Sequence, residues 1–295
     1  MTTDQTRPRR SAMYVPAINR RAIVKSRSLD TDVVIFDLED AVAPAMKEAG
    51  RTSLAEAFAV DGFGHRQTVI RINAIGSDDF ERDLATVALC RPAAVLVPKV
   101  SDAGGLQHFA TRARAHRLDG GTALWIMVET AAALAELDAI VGMGMNLAPR
   151  LQCLVVGTND IAKETGVDPG EERRYLMPWL MNVVLVARRR QIDVLDGVWN
   201  DFGDQAGFDA EARQSVKMGF NGKTLIHPTQ VEPANRAFTP SREAVADARR
   251  IVEAFARPEH AGAGVINLEG RMVERLHLEQ ALRLLAIDAA IARRA

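Results

Sequence analysis

Short apolar runs rich in β-formers recur along this 295-residue chain, at Ser11–Val15, Val33–Asp37, Thr68–Ile72, Ala94–Pro98, Ala123–Val128, Cys153–Gly157, Ile192–Asp196 and Lys223–Ile226. Their apolar residues are continuous rather than alternating, as expected of parallel strands covered on both faces. Between most of them lie segments with apolar residues at i, i+3 and i+4, among them Lys47–Phe58, Phe80–Leu89, Ala131–Gly142, Tyr175–Arg190 and Asp209–Met218. Eight strand–helix units predict an α/β fold, a TIM (β/α)8 barrel over residues 1–257. An open doubly wound sheet would place a glycine-rich phosphate turn after its first strand, but Pro16-Ala17-Ile18-Asn19 stands there.

The tail is longer than one closing helix requires. Ser241–Arg257 is expected to be the eighth helix, with Ser241 as its N-cap and Glu243 in its first turn. An Ala- and Gly-rich loop, Pro258–Gly264, then leads through Val265–Leu268 to a second helix over Arg275–Ala292. Residues 258–295 are therefore expected to form a C-terminal helical extension, either a lid or subunit-exchanged arm or a plain packing element.

Composition narrows the function. Lys+Arg 37 against Asp+Glu 38 gives a net charge of −1, which gives no sign of a polyanion-binding surface or an acidic tail and makes nucleic acid an unexpected partner. The two cysteines, Cys90 and Cys153, have neither zinc-site spacing nor disulfide density, and suit buried thiols in a reducing compartment. The segment Met1–Arg10 is polar with no apolar signal core, and no run reaches the ~18 apolar residues of a membrane span. A soluble, cytoplasmic protein with no membrane partner is the expectation.

In a barrel, chemistry belongs at the C-terminal strand ends, and here they are polar. Strand two ends in Asp37, Glu39 and Asp40; strand three in Arg71 and Asn73; strand four in Pro98-Lys99; strand five in Glu129-Thr130. Strand six reaches Gly157-Thr158-Asn159-Asp160, and strand eight Ile226-His227-Pro228. Glu129 and Asp160 come from adjacent strands, and two carboxylates at one mouth repel unless they share a proton or a cation. With no matching His–Cys set, oxygen-only ligation points to Mg²⁺, which is commonly held by one or two carboxylates with water and substrate oxygens. Taken singly, Glu129 suits a solvated helix approach and Asp160 a helix cap.

Arg71, flanked by Val69, Ile70 and Ile72, needs an anionic or carbonyl partner, either a substrate oxygen or the acids at Asp37–Asp40. His227 before Pro228 suits a structural role as well as an acid–base one. A cation beside an Arg and several carboxylates equips a site for reactions that build negative charge on oxygen, such as aldol and Claisen chemistry.

Together these motifs resemble the citrate lyase beta subunit-like branch of the HpcH/HpaI aldolase superfamily, which includes malyl-CoA and citramalyl-CoA lyases. The likeness runs from Met13-Tyr14-Val15-Pro16 through Asp37-Leu38-Glu39-Asp40-Ala41-Val42, Val69-Ile70-Arg71-Ile72-Asn73, Val97-Pro98-Lys99, Val128-Glu129-Thr130 and Gly157-Thr158-Asn159-Asp160 to Gly222–Gln230. The resemblance implies a Mg²⁺-dependent barrel enzyme, trimeric or a dimer of trimers. Such an enzyme makes or breaks a carbon–carbon bond between a 2-oxoacid and the acyl unit of a CoA thioester. It implies Glu129 and Asp160 as metal ligands, with Glu129 also beside the substrate, and Arg71 as the substrate-oxygen contact. It further implies that Tyr14, Arg21, Lys25, Ile226 and His227 hold the CoA end, with Glu39 and Asp40 supporting the catalytic centre.

Two departures stand out. Pro16-Ala17-Ile18-Asn19 replaces the family's Pro-Gly-Asn. The C-terminal Gly-x-Met-(Ile or Val)-Asp motif, whose Asp acts as acid/base from a neighbouring subunit, becomes Gly270-Arg271-Met272-Val273-Glu274. Glu274 adds one methylene to a catalytic group, and a shift of roughly 1 Å can cost on the order of a hundredfold. The expectation is a malyl-CoA or citramalyl-CoA type lyase. A malyl-CoA thioesterase, a non-catalytic thioester-binding subunit and a sugar-acid aldolase stand as alternatives, and the carrier is either CoA or an acyl carrier protein.

Overall fold

The computed structural model describes residues 7–60, 62–118 and 121–294; the first six residues of the polar N-terminal segment lie outside them. Eight parallel strands close into a barrel in chain order: β1 Ser11–Pro16, β2 Val33–Asp37, β3 Gln67–Arg71, β4 Ala94–Val97, β5 Ala123–Val128, β6 Leu151–Val156, β7 Asp193–Asp196 and β8 Gly222–Leu225. Closure comes from β1 against β8, with Ser11, Ala12 and Met13 opposite Lys223, Thr224 and Leu225.

The helices between strands are α1 Arg20–Ser26, α2 Lys47–Phe58, α3 Phe80–Cys90, α4 Ala103–Ala115, α5 Ala131–Ala135, α6 Leu137–Gly144, α7 Thr158–Thr165, α8 Gly170–Arg173, α9 Met177–Arg189 and α10 Gln205–Met218. Side-chain caps fix several of their starts. Asn19, Asp102, Thr130 and Asp204 each accept a backbone N–H from the first turn of the helix that follows. The single helix expected over Ala131–Gly142 is two, because Glu136 leaves helical geometry at φ −102° and ψ 14°.

Each strand is apolar on both faces because it serves two cores. Val34, Phe36, Ile70, Val95, Ile126 and Leu154 pack outward against the helices. Val33, Ile35, Val69, Leu96, Trp125, Met127, Cys153 and Val155 fill the barrel interior. Each fully buried large side chain contributes roughly 1.5–3 kcal/mol, so the two layers together supply the main stabilisation. The period of two also sets the site. Asp37 follows Ile35, Arg71 follows Val69 and Glu129 follows Met127, so all three continue the inward-facing series at the barrel's C-terminal mouth.

The helix after β8 is α11, Val231–Phe238, which packs on β1 and β8. Residues Arg9–Phe238 form one compact unit, and the described residues before Arg9 and from Thr239 onward form a second. Arg242–Phe255, the helix expected to close the barrel, is α12 of this second unit, with Ser241 accepting Ala244 N–H as its cap. There α12 packs against α13, Arg275–Ala292, and a hairpin of β9 Val265–Leu268 and β10 Arg271–Glu274 supplies Ile266 and Val273 to a small core with Ala254. Glu269 and Gly270 both have positive φ, 53° and 83°, the geometry of a tight two-residue hairpin turn. Among the described residues no helix is long and apolar enough to cross a membrane.

Candidate active site

The strand ends surround a cavity of about 380 Å³ lined by Tyr14, Asp40, Arg71, Met127, Asp160 and Ile226, among others. Arg71 is its most constrained member. The Nε and Nη2 atoms donate to the two Asp37 oxygens at 2.8 and 2.6 Å, a paired geometry that fixes the guanidinium plane. Nη1 lies 3.0 Å from Glu39 and 3.5 Å from the Met127 sulfur, and the Tyr14 ring sits 4.9 Å beneath the guanidinium carbon. Asp37 is itself held by the backbone N–H groups of Glu39 and Ala41, at 2.8 and 3.0 Å. The acids of β2 therefore serve mainly to hold Arg71. Burial pushes the Tyr14 phenol above its ordinary range, so it stays neutral.

Glu129 lies deeper, 1 % exposed. One oxygen accepts the Lys99 backbone N–H at 2.7 Å, while the other, Oε2, has no hydrogen-bond partner among the described residues. Burial first, then the charges of Glu39 and Asp160, push its carboxyl up to about 7. An ionised carboxylate so placed needs a cation. Asp160, in the first turn of α7 and half-buried, lies on the cavity wall and is close enough to add to that repulsion. Gly157 makes the arrangement possible: a Cβ there would sit 2.5 Å from the Glu129 Cβ and 2.8 Å from Oε2.

This donor set fits a hard divalent cation. Among the described residues no group of three or more His, Cys, Asp or Glu side chains could hold a metal unaided. Two carboxylates completed by water and substrate oxygens is the habit of Mg²⁺.

Lys99 links the two acid groups. Its ammonium is 2.8 Å from Glu39 and 3.7 Å from Asp40. Burial pushes the Glu39 carboxyl upward, against the pull of Arg71 and Lys99. Sequence reasoning left Lys99 without a role because its function depends on its backbone, held at φ 51°.

The remaining expected residues lie at the rim or elsewhere. Ile226 is 39 % exposed on the cavity wall, and His227 beside it stacks on Phe202 at 4.8 Å. Arg21 and Lys25 are exposed on α1. Glu274 is half-buried at the N-cap of α13, its N–H donating to His277 Nδ1 at 2.9 Å, and it belongs to the C-terminal unit.

A buried cluster that the sequence did not disclose lies under β7. Asp196 pairs with Lys223 at 2.9 Å and Arg173 at 2.8 Å, and accepts from Ser215 at 2.6 Å. Burial works to raise the Asp196 carboxyl, but the two cations outweigh it and hold the group down to about 2. Leu195 faces the barrel interior, so Asp196 points outward toward α10, away from the mouth. The larger cavity beside it, about 490 Å³, is walled by Arg173, Glu211 and Gln214, which are already engaged with one another.

Residues 10–228 match the family model described as HpcH/HpaI aldolase/citrate lyase. A (3S)-malyl-CoA thioesterase of Cereibacter sphaeroides is 39 % identical over 98 % of this chain and 97 % of its own length. An L-malyl-CoA/beta-methylmalyl-CoA lyase of the same species is 32 % identical over 93 % of each chain. The crystal structure of CitE from Mycobacterium tuberculosis in complex with magnesium, acetoacetate and coenzyme A is similar at a TM-score of 0.74 and 28 % identity, covering 95 % of this chain and 97 % of that one.

Proposed function

The chain belongs to the HpcH/HpaI aldolase/citrate lyase family, and from that premise we propose that it is a Mg²⁺-dependent carbon–carbon lyase. Its substrate is a 3-hydroxyacyl-CoA thioester of the malyl-CoA or citramalyl-CoA type, and its products are a 2-oxoacid and an acyl-CoA. The observation that carries this reading is the unpartnered Oε2 of buried Glu129, set beside Asp160 at the mouth that also presents Arg71. The bound magnesium and coenzyme A of the similar CitE structure support the same pairing of cofactor and substrate.

Glu129 and Asp160 would hold Mg²⁺, which when bound supplies positive charge for oxygens that become negative during reaction. Arg71, already oriented by Asp37 and Glu39, hydrogen-bonds the substrate hydroxyl oxygen as it becomes the 2-oxoacid carbonyl. A base at the mouth, to which Asp40 on the cavity wall is assigned, takes the hydroxyl proton, the C2–C3 bond breaks, and its electron pair passes to the thioester enolate. Glu274, delivered by a neighbouring subunit, protonates that carbon. Tyr14, Arg21, Lys25, Ile226 and His227 hold the CoA end. A homotrimer or hexamer in the cytoplasm completes the reading.

A second reading, hydrolysis of malyl-CoA, is favoured by the 39 % identity to a thioesterase together with Glu at position 274. The two are separated by incubating malyl-CoA with enzyme and Mg²⁺ and identifying products. Glyoxylate with acetyl-CoA supports the lyase; malate with free thiol overturns it in favour of the hydrolase.

A further inference from the structure

Ile226 lines the mouth and His227 follows it to make a lip, and no strand pairing holds the two there, since β8 ends at Leu225. The buried side-chain amide of Gln230 holds their backbone N–H groups instead. Gln230 is 1 % exposed, and its Oε1 accepts both the Ile226 and the His227 backbone N–H, at 3.0 and 3.2 Å. The other end of the same side chain, Nε2, donates to the Trp199 carbonyl at 3.0 Å. Both ends of the amide are therefore used, one on the β8 lip and one on the loop after β7.

A second tie crosses the same gap. Phe202, 58 % exposed, lies nearly parallel to the His227 ring, with centroids 4.8 Å apart and planes 17° apart. A large ring left that open contributes little to folding, yet it fixes the plane of the histidine at the rim. His227 Nδ1 is meanwhile occupied by Thr229, at 2.8 Å from its hydroxyl, so the imidazole is held from both its edge and its face.

We infer that Gln230 and Phe202 are positioning residues for the thioester carrier: they hold the Ile226–His227 lip against the β7 loop, so that the mouth accepts the CoA end without first ordering that lip. Preorganising a binding element removes its ordering cost from the affinity. The inference rests on the CoA-thioester reading above, and it adds two residues that touch neither metal nor reacting atoms.

Gln230→Glu separates the two functions of the amide. A carboxylate still accepts the two lip N–H groups, but faces the Trp199 carbonyl with an acceptor in place of a donor, which breaks the tie between loops. Phe202→Ala removes an exposed ring and leaves the core intact. Coenzyme A binding is measured by calorimetry on the full chain, with KM and kcat for malyl-CoA turnover and Mn²⁺ binding as controls. The expected result is CoA affinity down about tenfold or more in Gln230→Glu and about threefold in Phe202→Ala. KM rises in parallel, while kcat and Mn²⁺ affinity stay within twofold. If Gln230→Glu does not fold, Phe202→Ala decides the outcome. Wild-type protein that binds CoA while both variants match it overturns the inference alone. Wild-type protein that fails to bind CoA overturns the carrier reading and this inference with it. A parallel fall in Mn²⁺ affinity shows a general structural role and also overturns it.

Discussion

Lys99 holds Glu129 by a hydrogen bond from its backbone: the Lys99 N–H lies 2.7 Å from Glu129 Oε1, while the ammonium of the same residue reaches to Glu39 at 2.8 Å. The backbone must adopt φ 51° to aim both groups, a left-handed conformation that costs a non-glycine residue about 1 kcal/mol. That cost is placed where it orients a buried carboxylate with one oxygen left free.

Glu129, with its carboxyl pushed up to about 7 from an ordinary 4.5, keeps a proton in the folded chain over a range where the unfolded chain has lost it. Metal-free stability contributed by this group is therefore full below about pH 4.5 and falls as pH rises to about 7. By linkage the loss is on the order of 3 kcal/mol at most. Asp196 acts with the opposite sign, but only as pH falls toward about 2, outside this window. Urea titrations of metal-free protein from pH 5 to 8 are expected to show a smaller slope in Glu129→Gln than in wild type. Mn²⁺ affinity, weakened at least about a hundredfold in Glu129→Gln and Asp160→Asn, should also decline below pH 7 in wild type. A wild-type affinity independent of pH would contradict the assignment.

Gly157→Ala places a methyl group against the Glu129 side chain at 2.5 Å from its Cβ. The barrel should still close, because the clash is local to one strand end, but a Cβ cannot rotate away, so the backbone at residues 129 and 157 must move apart and carry the Glu129 carboxylate with it. We expect Mn²⁺ binding to drop about as far as in Glu129→Gln, with far-ultraviolet circular dichroism unchanged. Full metal affinity in this variant would mean that Glu129 is not a ligand.

Arg71→Lys keeps the positive charge and loses the fork. An ammonium cannot match the paired contacts to Asp37 while also reaching Glu39. The expected consequence is a loss in kcat/KM of about a hundredfold or more, with a lowered melting temperature. Arg71→Ala should be worse for stability, by about 3 kcal/mol, because it takes the guanidinium from Asp37 and Glu39, leaving Asp37 with only two backbone N–H groups and Glu39 with only Lys99. Steady-state kinetics and thermal melts on the pair of variants test both parts.

Glu274→Ala removes the group assigned to protonate the enolate carbon. Carbon–carbon cleavage should fall about a hundredfold while free-thiol release changes little. Glu274→Asp, restoring the shorter side chain of the lyases this chain resembles, should leave cleavage equal to or above wild type. Parallel assays of 2-oxoacid and thiol give the answer, and equal loss of both products would assign Glu274 a structural part in the start of α13.

Much of the fold was legible because a strand buried on both faces leaves a continuous apolar run, and all eight runs are strands of the barrel. The break at Glu136 left no such mark, since Ala131–Gly142 holds an unbroken Ala- and Leu-rich pattern with no proline. The helix after β8, Val231–Phe238, is short and carries Pro233, so it leaves a weaker mark than Arg242–Phe255, where Ser241 announces a strong cap. Proline is tolerated in a first helical turn, where its missing N–H has no partner to lose. At the site, the acids and Arg71 could be found as polar residues ending apolar strands. The parts played by Gly157, Lys99 and Gln230 could not. Each depends on a distance between strands, or on a backbone angle, that no local pattern records.

The pairing of Met13 with Leu225 is the last seam of the barrel to become available to a growing chain. Until residue 225 has left the ribosome, the strand carrying Tyr14 lacks one of its two neighbours and the ring of strand ends cannot be drawn together. Contacts so distant in sequence form slowly, because the loop between them must be closed before any reward is returned. A chain halted anywhere before β8 would thus display the carboxylates of β2, β5 and α7 without the ring of strand ends that encloses them, and the cavity should take shape late in synthesis and in one step.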